Sequence, residues 1–185
     1  MTVSLTGTTR LETERLILRA PEPIDYPVWE AFFLTDRATF IGGGPEHDKG
    51  RAWRAFCSLM GHWLMNGCGV FAMIDRDSGA VLGSCGPWFP SLWPEREIGW
   101  TVWDPAAEGK GYMAEAATAI IAHVFNDLRW DTAVSYIDPK NTRSMALAER
   151  LGATVDANAV SPFDDGTLVY RHPAPDAEGG MEAYA

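Results

Sequence analysis

The sequence predicts a mixed α/β (α+β) layer domain, in which a mostly antiparallel meander leads into a β-α-β-α half. Three observations predict it. The β-rich segments Val70–Asp75 and Val81–Trp88 are separated by Asp77-Ser78-Gly79, a turn signal that reads as an antiparallel hairpin. A long helical pattern over Tyr112–Leu128 is followed by a short β-rich run and a second helical pattern, so strand and helix alternate. No internal repeat divides the chain, and its 185 residues fit one domain.

The elements follow in order. Leu16-Ile17-Leu18-Arg19 reads as a short strand after a polar leader. Pro23–Arg37 reads as a helix with proline just inside its start and Trp29, Phe32 and Phe33 as its apolar stripe. After the loop Gly42-Gly43-Gly44, the apolar residues Trp53, Phe56, Met60 and Leu64 recur at helical spacing from Asp48 to Asn66, and Gly67 stops the helix. Arg96–Trp103 is the third strand of the meander. The helix over Tyr112–Leu128 would turn Ala117, Ile121, Val124, Phe125 and Leu128 inward, with small alanines allowing close approach to a sheet. Thr132–Ile137 is a strand, Asn141–Leu151 a helix stopped by Gly152, and Thr167–Arg171 a last strand. The expected domain spans residues 1–172, and residues 173–185, rich in Pro, Gly and acid, read as a flexible tail.

Composition narrows the function. With 15 basic and 25 acidic residues the formal net charge is −10, and 46% of the residues are hydrophobic. That is the makeup of a globular chain large enough to bury a core without metal or disulfide staples. An acidic protein is a poor non-specific partner for nucleic acid or anionic lipid, so neither is expected, and any anion site must be built locally. No run approaches the roughly 18–20 apolar residues of a membrane span, and the first fifteen residues lack a signal-peptide pattern. Cys57, Cys68 and Cys85 are odd in number and form no CxxC, which predicts free thiols in a cytoplasmic protein. The four histidines show no zinc spacing, so no metal is expected.

The most informative stretch is Glu108-Gly109-Lys110-Gly111-Tyr112-Met113-Ala114, between a strand and the long helix. Two glycines two apart let the backbone turn tightly and bring successive N–H groups to one point. Beside them lie the unpaired N–H groups of the helix start and the positive end of its dipole. Together these make an anion cradle suited to phosphate; the plainer alternative is a loop with a glycine-assisted helix start. Gly109-x-Gly111-x-x-Ala114 also satisfies a dinucleotide fingerprint, but five residues, Asp104 to Glu108, intervene after Trp103, and Asp131 precedes its strand instead of ending it. The upstream meander also fits an antiparallel sheet better than a βαβ unit.

At this stretch the chain resembles the GNAT N-acetyltransferases, and within them the ribosomal-protein-alanine acetyltransferase branch. The resemblance covers Leu11 to about Ala153 and rests on four motifs in order. Thr13-Glu14-Arg15-Leu16-Ile17-Leu18-Arg19 is similar to the opening strand, Glu97-Ile98-Gly99-Trp100 to the fourth strand, and Gly109–Ala116 to the pyrophosphate loop and helix. Asn141-Thr142-Arg143-Ser144 with Leu151-Gly152 is similar to the closing helix. The resemblance implies a GNAT-type central sheet with splayed middle strands flanked by helices, and acetyl-CoA as cosubstrate. It implies that backbone amides of Gly109, Lys110, Gly111, Tyr112, Met113 and Ala114 hold the pyrophosphate. It also implies that main-chain groups of Val102 and Trp103 align the pantetheine arm where two strands splay, and that Asn141 hydrogen-bonds the cofactor with Ser144 nearby. Two positions depart from the family pattern: Glu108, where Gln or Arg is usual, and Met113, where Gly or Ala is usual.

Acetyl transfer needs a neutral amine. For a lysine-like amine, deprotonation at pH 7 costs about 4.6 kcal/mol, and for an α-amine about 1.4 kcal/mol. Glu97 is the candidate base, acting directly or through a water, since a part-buried carboxylate gains basicity by desolvation. The alternative is a Glu97 that pairs with an arginine on an exposed strand face. The family's closing-helix tyrosine, a general acid in many members, falls on Ala148, so that role is unassigned. Glu115 reads as a helix-stabilising acid in a first turn, and Lys110 or Lys140 as a phosphate contact or a solvated cation. Trp53 and Trp63 read as core, or as lining an acceptor groove, and Cys85 as a buried strand thiol. The expected function is an N-acetyltransferase that passes acetyl from acetyl-CoA to a primary amine, a peptide N-terminus or a small amine. The alternative is a non-catalytic acyl-CoA-binding module. Oligomeric state is open, a homodimer included.

Overall fold

The computed structural model describes residues 5–163 and 165–174. The expected tail from 175 onward lies outside the described residues. The described residues are mixed α/β, with eight mostly antiparallel strands flanked by helices. Its contacts divide it into two compact units, the first built from residues up to Gly86 and Trp100–Ala116, the second from Pro87–Gly99 and from Ala117 onward.

In the first unit, β1 (Leu11–Glu12), β2 (Leu16–Arg19), β3 (Phe71–Asp75) and β4 (Val81–Trp88) form consecutive antiparallel pairs, with Leu16 opposite Asp75 and Phe71 opposite Cys85. The β3–β4 turn is held by Asp75, whose carboxylate accepts from the Ser78 amide and hydroxyl at 2.8 and 2.6 Å. The second half of β5 (Glu97–Val102) lies against β4 so closely that a Cβ on Gly83 would sit 2.3 Å from the Thr101 carbonyl oxygen. Only glycine fits there.

The helix expected over Pro23–Arg37 is broken. A 3₁₀ turn at Pro23–Asp25 precedes α1 (Tyr26–Phe33), and a second one spans Asp36–Ile41. Proline at position 27 has no N–H to extend a ladder, and the fully buried Asp25 takes both forks of the Arg19 guanidinium at 2.8 Å and the Glu22 amide at 2.8 Å. A buried charge held by three hydrogen bonds fixes the chain there. α2 (Lys49–Asn66) forms over the predicted span, with the Asp48 carboxylate capping the Arg51 amide at 2.7 Å and Gly67 left-handed at its end. Of its predicted apolar stripe, however, only Phe56 is buried; Trp53 and Leu64 are exposed, and Ala52, Leu59, His62 and Trp63 turn inward instead. Trp29, Phe32, Phe33, Phe56, Trp63, Phe71 and Trp103 build an aromatic core between these helices and strands.

In the second unit, β6 (Val134–Ile137) lies between the first half of β5 and β8 (Leu168–Arg171), and β7 (Thr154–Val155) edges β8. β5 and β6 are parallel and in register only at Glu97 opposite Val134. At the next step the Ser135 hydroxyl donates to the Ile98 carbonyl at 2.7 Å, a side chain standing in for the ladder. The pairing of these middle strands is thus confined to their start. Ser135 in turn accepts from His172, whose imidazole is buried and therefore held neutral, its pKa pushed down to about 4. α3 (Tyr112–Asn126) buries Ala117, Ile121, Val124 and Phe125 of the predicted inner face and also Ile120, while Leu128 falls just past its end. α4 (Thr142–Arg150) buries Ala148 and is followed by Gly152 at φ +80.

Among the described residues no helix is long and apolar enough to cross a membrane.

Candidate active site

The turn predicted from its glycines is where the first unit concentrates its polar contacts. Gly109 and Gly111 have φ +71 and +81, with Lys110 between them outside the positive range. Alternation of this kind swings consecutive amides to one side and makes an anion-binding nest. The Glu115 amide already donates to the Gly111 carbonyl at 3.1 Å, so the amides of Gly109 to Met113 lie ahead of the first bond of the α3 ladder. The direction in which a Gly109 side chain would point is open, with no atom within 4 Å. Helix-start donors beside open space suit an oxyanion.

Residues distant in sequence fix the turn. Arg15 Nη1 donates to the Lys110 carbonyl at 2.9 Å, its Nε donates to Glu115 at 2.7 Å, and its guanidinium lies 4.4 Å over the Tyr112 ring. Glu115 also accepts from the Thr13 hydroxyl at 2.5 Å and the Arg15 amide at 2.8 Å. Burial pushes the Glu115 pKa up, but the Thr13 and Arg15 hydrogen bonds outweigh it and hold the carboxyl below its usual range. The Tyr112 hydroxyl reaches the Asp75 carboxylate at 3.2 Å. Beyond the helix-stabilising reading, Glu115 ties the segment that leads into β2 to the first turn of α3.

A second arginine organises the strand that leads into the loop. Arg37 donates to the Val102 and Trp103 carbonyls, each at 2.9 Å, and to the Glu108 carboxylate at 2.9 and 2.6 Å. The acidic departure at position 108 is thus turned onto an arginine. The Trp103 amide donates to the Leu82 carbonyl at 2.9 Å, so Trp103 can offer a ligand only the remaining lone pair of its carbonyl. Its indole is buried edge-on against Trp29. Met113 is half-buried, and Lys110 is exposed.

In the second unit, Asn141 caps α4, its Oδ1 accepting from the Ser144 amide at 3.2 Å. Its Nδ2–H donors are what the side chain can offer a ligand. This cap sets the Ser144 amide beside the Asn141 side chain. Glu97 opens β5 and is half-buried. Burial pushes its pKa up to about 7, against the opposing hydrogen bonds from the Trp93 indole and the Tyr136 main chain. A carboxyl poised near neutrality suits a proton acceptor. Among the described residues no arginine pairs with Glu97, and the neighbouring Arg96 lies over Phe89 and Trp130 instead.

Other expectations resolve in the core. Cys85 is fully buried, and desolvation raises its thiol far above the ordinary value, which leaves it inert. Trp63 is core, its indole donating to the Val70 carbonyl at 2.9 Å, whereas Trp53 is 57% exposed. At about 100° per residue the two lie roughly 80° apart around α2, so they do not share a groove. Arg15 and Arg37 escaped the sequence reading as loop clamps; the first lay within the Thr13–Arg19 motif, but nothing marked its partner near position 110.

Comparison with known proteins follows the same lines. The family model described as acetyltransferase (GNAT) domain matches residues 15–154. The crystal structure of an acetyltransferase from Agrobacterium tumefaciens (strain C58) is 35% identical, covering 94% of this chain and 99% of its own at a TM-score of 0.83. The protein YkkB of Bacillus subtilis (strain 168) is 29% identical over 153 residues, 78% of this chain and 84% of that protein. The ribosomal-protein-S5-alanine acetyltransferase of Vibrio fischeri shares the fold, with 16% identity, a TM-score of 0.65, and coverage of 91% of this chain and 98% of its own.

Proposed function

The chain belongs to the GNAT acetyltransferase family, and on that premise we propose that it transfers acetyl from acetyl-CoA to a primary amine, either a peptide N-terminus or a small amine. When bound, acetyl-CoA supplies the activated acetyl group as a thioester. The observation that carries the reading is the nest at Gly109 and Gly111, clamped by Arg15 and Glu115 and open on the side where a Gly109 side chain would project. The amides of Gly109, Lys110, Gly111, Tyr112, Met113 and Ala114 hold the diphosphate, and their geometry costs nothing at binding because side chains already fix it. The Val102 main chain and the Trp103 carbonyl align the pantetheine arm, and Asn141 donates to the cofactor from its Nδ2, beside Ser144. Glu97 takes the proton of the incoming amine, directly or through a water, which gives that proton a positioned acceptor beside the nucleophile.

The acidic surface favours cationic acceptors, and the reaction belongs in the cytoplasm. The likeness to the Vibrio fischeri enzyme is one of fold, so peptide N-termini and small amines stand on equal terms as acceptors. One observation favours a second reading, a non-catalytic acyl-CoA-binding module. Ala148, at the position of the family's acidic tyrosine, is fully buried and brings no hydroxyl. Thiol release on mixing acetyl-CoA with panels of N-terminal peptides, lysine analogues and polyamines separates the two. Transfer predicts amine-dependent thiol release with at least one class of amine. Tight CoA binding with no release on any amine identifies the module.

A further inference from the structure

The connection between β4 and β5 is unusually well tied down for a loop rich in Trp and Pro, and its ties converge on Glu97. The Arg96 guanidinium lies 5.3 Å over Trp130, which meets Phe89 edge-on at 5.7 Å. Glu95 forms a two-pronged pair with Arg171 at 2.8 and 2.9 Å, and Arg171 also holds Asp156 at 2.8 Å. The Glu95 amide donates to the Tyr136 hydroxyl at 3.2 Å. Within this frame the Trp93 amide donates to the Pro90 carbonyl at 2.8 Å. Its ring stands edge-on to Phe163 at 5.5 Å and 86°. The indole therefore has little freedom, and its Nε1–H donates to Glu97 Oε2 at 2.5 Å.

We propose that Trp93 is a positioning residue for acetyl transfer: its indole N–H clamps one oxygen of the Glu97 carboxylate and so fixes the direction in which that carboxylate meets the amine proton. The inference rests on the reading of Glu97 as the base. Apart from the indole, the groups facing Glu97 are the Tyr136 main chain and ring on β6 and, behind Tyr136, Glu95 and the Arg171 guanidinium of β8. Arg171 is already engaged by Glu95 and Asp156, and the His172 imidazole is neutral, so no unengaged cation among these groups substitutes for the indole. The indole bond favours the ionised carboxylate, opposing the burial that raises its pKa to about 7. Removing the donor moves that value further up.

The test is Trp93→Phe, which keeps an aromatic ring beside Phe163 while removing the indole N–H together with its five-membered ring. The acid limb of the kcat/KM profile is expected to move up by about one pH unit, with about a fivefold loss at pH 7 that is largely recovered at pH 9. A carboxyl-carbon NMR titration of Glu97 in wild type and variant reads the same shift without turnover, and keeps the test open if the variant is weakly active. An unmoved profile and an unmoved Glu97 titration overturn the proposal, as does a uniform loss at every pH. Glu97→Gln, assayed in parallel, separates the two ideas. If it retains full activity, the base reading fails and the positioning role fails with it; if it is inactive while Trp93→Phe titrates like wild type, only the role of Trp93 is lost.

Discussion

Replacing Gly111 by valine raises the dissociation constant for CoA about 100-fold or more and leaves the fold largely intact. The reason is backbone conformation and not space. A Cβ at Gly111 meets only the Arg15 Nη2 atom, at 3.5 Å, an ordinary contact, but the residue sits at φ +81. A β-branched side chain is a true outlier there, and a strained residue of this kind costs on the order of 1–3 kcal/mol. The loop relieves the strain by rotating its peptides, and the amides of the nest then no longer converge. Losing even two hydrogen bonds to a charged group, each about 1.5–3 kcal/mol, corresponds to about 100-fold or more in affinity. Calorimetric titration with CoA, beside far-UV circular dichroism and a thermal melt, checks this. The melt should move only slightly, because the position is exposed and the helix start is still held by Glu115. An unchanged CoA affinity removes the nest from the account.

The second large effect belongs to Glu97→Gln. Glutamine keeps the size and can still accept from the Trp93 indole, so the site survives while its proton acceptor is gone. A positioned general base contributes roughly 10²–10⁴ in rate. The loss should depend on the acceptor. A lysine-like amine, about 4.6 kcal/mol from neutrality at pH 7, should lose about 1000-fold in kcat/KM, whereas an α-amine, about 1.4 kcal/mol away, should lose about tenfold. CoA affinity should be unchanged in both cases. The checking measurement is kcat/KM on a matched pair of acceptors that differ only in amine pKa. Equal losses for the two retire the base assignment, and so does a negligible loss for both.

What could be read in the sequence, and what could not, divides along physical lines. The glycines at 109 and 111 announced a turn because their lack of a side chain is itself the structural signal. The span of α2 was legible because its first residues and its terminal glycine act locally, but its buried face was not: Trp53 and Leu64 of the predicted stripe are exposed, while Ala52, Leu59, His62 and Trp63 turn inward beside Phe56. The Glu97 carboxylate was legible as a candidate, but its environment was not: Trp93 is four residues away, and Tyr136 comes from another strand. The same holds for Arg15 and Arg37, whose partners at Lys110, Glu115 and Glu108 lie some 70 to 100 residues along the chain. Periodicity cannot see such pairs. The two-residue strands β1 and β7 are too short to show alternation, and the break between the 3₁₀ turn and α1 depends on a buried Asp25–Arg19 pair that local propensity does not encode. Trp53 and Trp63 read either as core or as lining a groove because both sit on one helix; the rotation between them separates the two, with Trp63 in the core and Trp53 exposed.

The central claim concerns where the diphosphate of CoA lies, and a crystal structure of the protein grown with CoA reads it directly. The account predicts diphosphate oxygens about 2.7–3.2 Å from main-chain nitrogens between Gly109 and Ala114, with Arg15 still on the Lys110 carbonyl and Glu108 still on Arg37. A diphosphate bound elsewhere on the chain, with the Gly109–Ala114 amides turned to solvent, would contradict it.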